Sequence, residues 1–342
     1  MTQTLSRRAL LATTLALGVA ARPLAAWAQS TVSPDLQAVL DYVQSQKTTG
    51  FLVIRDRKTI VERNWPAPDD ATFKPFAYET TAGGALLEDV ASQQKSFVSL
   101  LVAVAVDKGL LDVQTPVSTY IGAGWSKAAP DQEAKIRVLD VLNMSSGLKT
   151  DFSYAAPPGT VFLYNTPVYA ITKKILAAAA KLSLETITHD WLTAPAGMAD
   201  TSWRQRPAIF ADVGNPTGLV TSPRDTARFG QVILDGGTAA DGRRIVSAAQ
   251  LKAMFAPAQT NPAYARLWWL NGTPYAIRPL ATRTDGPLIP AAPKDLVAAL
   301  GALDRKLYIV PGEKLIVVRM GAAAPDKDFD QQVWLRLVKA LA

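Results

Sequence analysis

Apolar residues recur at helical spacing in five stretches of the chain, and each stretch predicts a helix. These stretches are 35–46, 136–143, 168–182, 224–234 and 329–341. A sixth stretch, 97–106, is apolar at nearly every position, which is typical of a helix that is buried on all sides. We expect this buried helix to end near Gly109, because glycine commonly follows the last helical turn.

Short apolar runs near both ends of the chain predict β-hairpins. The runs 51–54 and 59–61 flank a polar turn, and the runs 306–310 and 314–319 flank Pro311-Gly312-Glu313, a composition favoured in turns. Strands at both ends with helices between them predict an α/β fold of the α+β type. In such a fold one antiparallel sheet is built from N- and C-terminal strands, is flanked by helices and carries a large helical insertion.

We expect one folded unit made of two lobes, because no low-complexity linker or internal repeat interrupts the chain after its N-terminal segment. The α/β lobe is predicted to span about 29–95 and 240–342, and the helical lobe about 96–239.

The first 28 residues have the pattern of an export signal. Arg7 and Arg8 precede the apolar run 9–21, and Ala26-Trp27-Ala28 forms an A-x-A-like cleavage site. The paired arginines favour the twin-arginine route in a bacterium, and so a periplasmic or secreted protein cleaved near Ala28. An uncleaved anchor is the alternative, but the apolar run is short for a bilayer span. We therefore expect no stable membrane insertion after the signal is removed.

Charge and composition exclude several classes of function. Loss of the signal removes Arg7, Arg8 and Arg22 and no acid, which lowers the formal net charge from +7 to +4. The remaining positive charge is scattered, so no nucleic-acid partner is predicted. The chain has no cysteine and one histidine, which excludes disulfides and thiolate chemistry and leaves too few ligands for a zinc site. No metal and no cofactor are predicted.

Serine chemistry in this chain has to work without histidine. The single histidine, His189, lies in a helical pattern and is predicted to be on a helix surface, and the chain contains no G-x-S-x-G. Ser92 and Lys95 are three residues apart before the buried helix, so both side chains can share one face. Such a pair can activate a serine hydroxyl. Chance alone supplies about one Ser-x-x-Lys in a chain of this size, so the catalytic and coincidental interpretations of Ser92 are about equally open.

The chain holds a second Ser-x-x-Lys, Ser146 to Lys149, and a candidate proton carrier, Tyr164. Gly147 directly follows Ser146 and favours a turn, so this copy is interpreted as structural. Tyr164 follows a loop rich in proline and glycine and precedes a helix. A nearby ammonium such as that of Lys95 would favour the ionised phenol, which could then take a proton from serine. The alternative is a loop aromatic that covers the core.

Taken in order, these stretches resemble the serine β-lactamase and penicillin-binding-protein superfamily. The resemblance is to the branch related to class C β-lactamases, which includes esterases and 6-aminohexanoate-dimer-type amidases. It covers nearly all of the chain after the signal. It rests on segments in the family order, namely Ser92-Gln93-Gln94-Lys95, 136–148, 157–169, 218–230 and 267–271.

The resemblance implies a serine hydrolase that needs no cofactor and acts on a small-molecule ester or amide. Ser92 would be acylated, while Lys95 and Tyr164 would manage the proton. The oxyanion would be held by the backbone N–H of Ser92 and by a second donor, for which Gly301 and Ala302 are the candidates.

Two departures from the family pattern bear on the substrate. The family's Tyr-x-Asn motif would place asparagine at 166, but this chain has Thr166 and carries Asn165 beside the tyrosine. Asn165 is therefore a further candidate for substrate contact. The family's Lys-Thr-Gly motif is missing, and the expected strand reads Ala299-Leu300-Gly301. The resemblance therefore implies an esterase or amidase, with a β-lactamase, a D,D-carboxypeptidase or a non-catalytic periplasmic binding or sensor protein as alternatives.

Each of two further residue pairs has two alternative roles. Arg305 or Lys306 could supply the charge that the missing lysine supplies in relatives, or could lie on a solvated hairpin face. Trp268 and Trp269 could line the acyl pocket or pack in the core.

Overall fold

Strands from the two ends of the chain lie side by side in one seven-stranded antiparallel sheet. The structure is a computed structural model that describes residues 33–208, 214–279 and 282–342, so the predicted signal at 1–28 lies outside the described residues. In chain order the strands are β1 (Thr48–Arg55), β2 (Lys58–Asn64), β3 (Ala77–Thr80), β4 (Leu86–Asp89), β5 (Ser202–Gln205), β6 (Thr217–Thr221), β7 (Tyr264–Ala265), β8 (Trp268–Leu270), β9 (Tyr275–Ile277), β10 (Arg283–Asp285), β11 (Val297–Gly301), β12 (Arg305–Val310) and β13 (Leu315–Gly321).

The large sheet has the order β2-β1-β13-β12-β11-β8-β7. The N-terminal hairpin β1–β2 therefore pairs with the C-terminal hairpin β12–β13, with Leu52 opposite Val318. The turn of the first hairpin places both Asp56 and Arg57 in the left-handed region, at φ 49° and 63°, which matches the right-handed twist of the strands. The predicted α+β fold, with one antiparallel sheet built from both ends of the chain, is confirmed.

Helices cover the sheet and make up most of the regular structure described between the two hairpins. In chain order they are α1 (Pro34–Ser45), α2 (Gln94–Asp107), α3 (Ser118–Ile121), α4 (Pro130–Glu133), α5 (Val138–Leu142), α6 (Thr166–Ala180), α7 (Leu184–Thr188), α8 (Ala194–Ala196), α9 (Pro223–Leu234), α10 (Ala248–Met254) and α11 (Phe329–Leu341). A single π-helical turn, His189–Thr193, joins α7 to α8.

The apolar helix α2 lies at the centre of the molecule, as its composition predicts. Every residue from Gln94 to Ala105 is buried, and the helix packs against α6, α10 and β11. Phe97 stacks on Phe229 of α9 with ring centroids 3.8 Å apart. Because α2 touches both the sheet and the inserted helices, a side chain at its N-terminal end lies where the two parts of the molecule meet.

A second, four-stranded sheet, in the order β3-β4-β6-β5, was not predicted. It joins β3 and β4, which precede α2, to β5 and β6 from the middle of the chain. The four strands are only four or five residues long, too short for a clear alternation of apolar and polar residues. The insertion is therefore mainly helical but shares a small sheet with the segment before α2.

The side chain of Asn271 closes the irregular segment that follows β8. Its Nδ2 lies 2.9–3.2 Å from the carbonyl oxygens of Ile289, Ala292 and Pro293, and its Oδ1 accepts a hydrogen bond from the Ile289 N–H. The segment 271–293, which carries β9 and β10, thus begins and ends at one point beside β11. Across the described ranges, no helix combines the length and hydropathy needed to cross a bilayer.

Candidate active site

Ser92 lies in the short 3-10 turn Ala91–Gln93 between β4 and α2, so the Ser92–Lys95 pair spans a turn and the first turn of a helix rather than one regular helix. Ala91 has a φ of +50°, a conformation that costs about 1–3 kcal/mol outside glycine. Its N–H donates to Asp89 Oδ1 at 2.8 Å. Asp89 is buried and receives two hydrogen bonds from Arg206, at 2.7 and 2.9 Å. A buried ion pair thus holds the turn that presents Ser92.

Lys95 is in hydrogen-bond contact with the Ser92 hydroxyl. Its Nζ lies 2.9 Å from Ser92 Oγ and 3.2 Å from Thr166 Oγ1, and the residue is 2% exposed. Within the described part of the chain no carboxylate forms an ion pair with Lys95. Burial, together with the smaller effect of the nearby Arg206 charge, lowers the pKa of Lys95 to about 7. Near neutral pH, Lys95 therefore supplies a free amine in contact with the hydroxyl.

Tyr164 completes the predicted set through a hydrogen bond to Ser92. Its ring stacks on Trp269 with centroids 6.0 Å apart and meets the edge of Tyr264 at 6.2 Å. Lys95 Nζ lies 5.0 Å from the centre of the Tyr164 ring. Burial raises the pKa of Tyr164 to about 12, and a hydrogen bond to Ser92 opposes this only partly.

The prediction that the ionised form of Tyr164 is favoured is therefore wrong, because desolvation of the phenolate outweighs the hydrogen bond to Ser92. Of the two groups beside Ser92, Lys95 is the one whose pKa allows it to accept a proton near neutral pH. Tyr164 keeps its proton and can donate it.

The end of β11 forms the third wall of the site. A Cβ on Gly301 would lie 2.3 Å from Val90 O and 3.3 Å from Gln93 N, so only glycine allows the strand to approach the Ser92 turn this closely. Gly301 and Ala302 line the same cavity as Ser92. Their role as oxyanion donors stays a prediction.

Two cavities meet at Ser92, and Ala302 lines both of them. The first has a volume of about 280 Å³ and is lined by Tyr164, Trp269, Arg278, Pro279, Leu288, Leu300 and Gly301. The second has a volume of about 380 Å³ and is lined by Thr72, Phe76, Ala91, Thr166, Arg206, Asn215 and Leu303. The serine therefore lies between two spaces that could hold the two halves of a substrate. Of the paired tryptophans, Trp269 lines the first cavity and Trp268 is fully buried in the core.

Asn165 does not face either cavity. Its Oδ1 accepts from the Val168 N–H and caps α6, and its Nδ2 donates to Leu148 O. The prediction that Asn165 contacts the substrate is therefore corrected. Its side chain instead orders the loop that presents Tyr164. Thr166, which occupies the family's asparagine position, contacts Lys95 instead.

Arg305 and Lys306 also form ion pairs inside the fold. Arg305 is fully buried, pairs with Glu88 at 3.1 Å and donates to Ala302 O. Lys306 pairs with Asp304 and Asp330. Both predictions for these residues, a substrate charge and a solvated hairpin face, are wrong because β12 is a central strand whose two faces are both covered. Arg305 shapes the site indirectly, by holding the carbonyl of Ala302.

The residues set aside from the sequence lie away from the site. Gly147 has a φ of +75° and would carry a Cβ 1.9 Å from Ala156 O, so Ser146 lies in a tight turn. Its Oγ accepts from the Leu148 N–H. The side chain of His189 is 66% exposed and contacts Asp190, consistent with a helix-surface position.

Sequence reasoning missed three cations around Ser92, namely Lys173, Arg206 in the wall of the second cavity and Arg278 in the wall of the first. Lys173 lies seven residues after Thr166 on α6, and this spacing places both residues on one face of the helix. The spacing could therefore have identified Lys173 as a cation near the site. Its buried Nζ donates to Asn215 Oδ1, Thr217 O and Thr217 Oγ1 at 2.7–3.0 Å, and burial lowers its pKa to about 6. Arg206 and Arg278 lie outside regular elements and carry no sequence signal.

Nothing in the site is arranged for a metal. Over the residues for which the structure gives positions, there is no group of three or more His, Cys, Asp or Glu side chains that could hold an ion.

Comparison with known proteins places this geometry in a family. A family model described as Beta-lactamase matches residues 37–341. No curated protein matches the chain.

Solved structures share the fold at low sequence identity. A protein from Bacteroides dorei DSM 17855 described as a β-lactamase superposes with a TM-score of 0.68 at 15% identity, over 89% of this chain and 97% of that one. A Bacillus anthracis protein described as a 6-aminohexanoate-dimer hydrolase gives 0.65 at 18%, over 88% and 81%. A class C β-lactamase from Rhodobacter sphaeroides gives 0.65 at 15%, over 91% and 100%.

Proposed function

This chain belongs to the beta-lactamase family, and we propose that it is a serine hydrolase that cleaves an ester or amide through an acyl-enzyme on Ser92. One observation carries the proposal: the Lys95 amine, with its pKa lowered to about 7, lies 2.9 Å from Ser92 Oγ at the junction of two cavities. A serine needs such a base in hydrogen-bond contact to become a nucleophile.

Acylation would proceed with Lys95 as the base. Ser92 Oγ attacks the substrate carbonyl carbon while its proton moves to Lys95 Nζ. The backbone N–H groups of Ser92 and of Gly301 or Ala302 would stabilise the oxyanion, a contribution that is often the largest electrostatic one. When the carbonyl re-forms, the bond to the leaving group breaks. Tyr164 donates its proton to that group and is reprotonated by the Lys95 ammonium, which returns both residues to their starting forms.

Deacylation would reverse these roles with water as the nucleophile. Water attacks the acyl carbon and gives its proton through Tyr164 to Lys95, and Ser92 leaves with a proton from the same pair. The enzyme is regenerated and the free acid is released.

At the end of β11, where the family's Lys-Thr-Gly motif would lie, the part of the chain that the structure describes offers no free cation for the carboxylate of a β-lactam or a D-alanyl peptide, which favours another ester or amide as the substrate. The strand β11 carries no lysine, and the two cations nearest to it, Arg305 and Lys306, are buried in ion pairs. We further propose that the protein is exported through its N-terminal signal. Mass analysis of the protein recovered from a bacterial periplasm would test this, with cleavage near Ala28 expected.

Labelling with a fluorophosphonate probe, followed by mapping of the adduct, tests the nucleophile. We expect labelling on Ser92, turnover of p-nitrophenyl acetate, and loss of both in Ser92→Ala. Ser146→Ala, which removes the hydroxyl of the other Ser-x-x-Lys, is the matched control and should keep both. Labelling that persists in Ser92→Ala would overturn the assignment. Nitrocefin turnover comparable to ester turnover would favour a β-lactamase, and no turnover of either would favour a sensor.

A further inference from the structure

Arg278 is the one charged side chain among the described residues that line the first cavity beside Ser92. It follows β9, in the segment closed by Asn271. Its neighbours in the cavity wall are largely apolar and include Trp269, Leu288 and Leu300. Arg278 is half-buried, and a guanidinium in a partly apolar wall interacts more strongly with charge than it would in water.

The protein uses little of the hydrogen-bonding capacity of this guanidinium. Nη2 donates to Leu288 O at 2.7 Å, which fixes the orientation of the group. No carboxylate in the described ranges forms an ion pair with Arg278. Arg278 also borders a neighbouring cavity whose charged lining is Asp304, Lys327, Asp328 and Asp330. Asp304 and Asp330 pair with Lys306, and Asp328 accepts a hydrogen bond from Gln332.

The contrast with the other arginines near the site is informative. Arg206 pairs with Asp89 and Arg305 pairs with Glu88, so both are neutralised inside the protein. Arg278 has a charge of the same kind and a place in the wall of the cavity that holds the nucleophile, where its neighbours are largely apolar. Its missing partner is therefore expected to come from the substrate.

We propose that Arg278 binds a carboxylate of the substrate, so that the enzyme selects esters or amides that carry a negative charge beyond the scissile bond. This inference rests on the proposed function and names the substrate class for it. A carboxylate can accept two parallel hydrogen bonds from a guanidinium. The apolar residues between Arg278 and Ser92 would contact the short carbon chain that joins the carboxylate to the scissile carbonyl or to the leaving group.

Two matched pairs of esters test the proposal and locate the charge. On the acyl side, mono-p-nitrophenyl glutarate is compared with p-nitrophenyl valerate. On the leaving-group side, 4-carboxyphenyl acetate is compared with 4-carbamoylphenyl acetate. The readout is the ratio of kcat/KM for the anionic ester to that for its neutral partner. We expect the wild-type ratio to exceed one in one pair, and Arg278→Gln to lower it about ten- to a hundredfold, the usual range for a charge-assisted contact.

Two further variants make the result specific. Arg278→Lys keeps the charge and should retain part of the preference. Arg283 lies in β10, which pairs with β9, and its side chain pairs with Asp285 and stacks on Tyr275. Arg283→Gln should therefore leave the ratio unchanged. A wild-type ratio at or below one in both pairs, or an unchanged ratio in Arg278→Gln, would overturn the proposal.

Failure of the proposed function would look different. If Ser92→Ala turned over the neutral esters as well as the wild type does, the nucleophile assignment would fail whatever the charge preference. If Ser92→Ala is inactive and the ratio is insensitive to Arg278, only the substrate inference fails.

Discussion

The pH dependence of acylation distinguishes the two groups that could deprotonate Ser92. The pKa of Lys95 is lowered to about 7 by burial, and the pKa of Tyr164 is raised to about 12 by the same cause. If Lys95 is the base, kcat/KM should rise tenfold per pH unit up to about pH 7 and then level off. If the Tyr164 phenolate were the base, it would keep rising towards pH 12.

The expected magnitude follows from the fraction of free base. At pH 7 about half of Lys95 is neutral, whereas an amine with an unperturbed pKa would be neutral in about one molecule in three thousand. The Tyr164 phenolate would be present in about one molecule in a hundred thousand. Burial thus raises the supply of base at Lys95 by about a thousandfold, and the two mechanisms predict midpoints about five pH units apart.

The assay is the second-order rate of fluorophosphonate labelling between pH 5 and pH 10, together with kcat/KM for p-nitrophenyl acetate. A histidine ordinarily titrates in the same pH range as the expected rise of the rate. His189→Gln is therefore the control, and the midpoint of the rise should not move in this variant. A rise that is lost in His189→Gln, or a rate that still rises tenfold per unit above pH 9, would refute the assignment of Lys95 as the base.

Three further changes test the site. Tyr164→Phe keeps the ring that stacks on Trp269 but removes the proton donor, so kcat should fall about 10²–10⁴-fold with an unchanged melting temperature; near-normal kcat would remove the hydroxyl from the mechanism. Lys95→Met should stabilise the fold. The pKa of Lys95 is about 7 in the folded protein and 10.5 in the unfolded chain, so between these pH values the unfolded chain binds one more proton than the folded protein. The free energy of unfolding of the wild type therefore rises with pH across that window. The variant should lose this rise and gain up to about 5 kcal/mol at pH 7, and urea unfolding at pH 7 and 9 that shows the same pH dependence for both proteins would contradict this. Gly301→Ala places a methyl 2.3 Å from Val90 O and should displace β11 from the Ser92 turn, which lowers fluorophosphonate labelling at least tenfold; an unchanged labelling rate would show that this close approach is not needed.

The sequence predicts those helices and strands in which apolar residues recur at a clear and regular spacing. The helix 329–341 and both hairpins are found where the apolar pattern places them, and the fully apolar run appears as the buried helix α2. The four-stranded sheet escapes prediction because its strands are short and find their apolar partners only in the assembled molecule. The fold class is therefore readable from local pattern, while the smaller sheet depends on tertiary contacts.

The site divides in the same way. Ser92, Lys95 and Tyr164 belong to motifs whose spacing can be read, and the structure brings them together. Arg305 is misassigned because its partner, Glu88, is more than two hundred residues away, so the sequence does not reveal that the charge is already neutralised. Arg278 is missed for the opposite reason, since nothing in its local sequence shows that it lacks a partner.

The hydrogen bonds of Asn271 have a consequence for how new selectivity could arise. They join the two ends of the segment 271–293 at one point, and that segment carries Arg278 and Leu288 of the cavity wall. Ser92 and Tyr164 are supplied by other parts of the chain. We therefore expect that the segment can be exchanged as a cassette, by cutting at the asparagine and its carbonyl partners, while Ser92 and Tyr164 stay in place. Under the proposed function, substrate range and chemical competence would then be separately mutable, and directed evolution confined to this one insert is a rational route to new specificities.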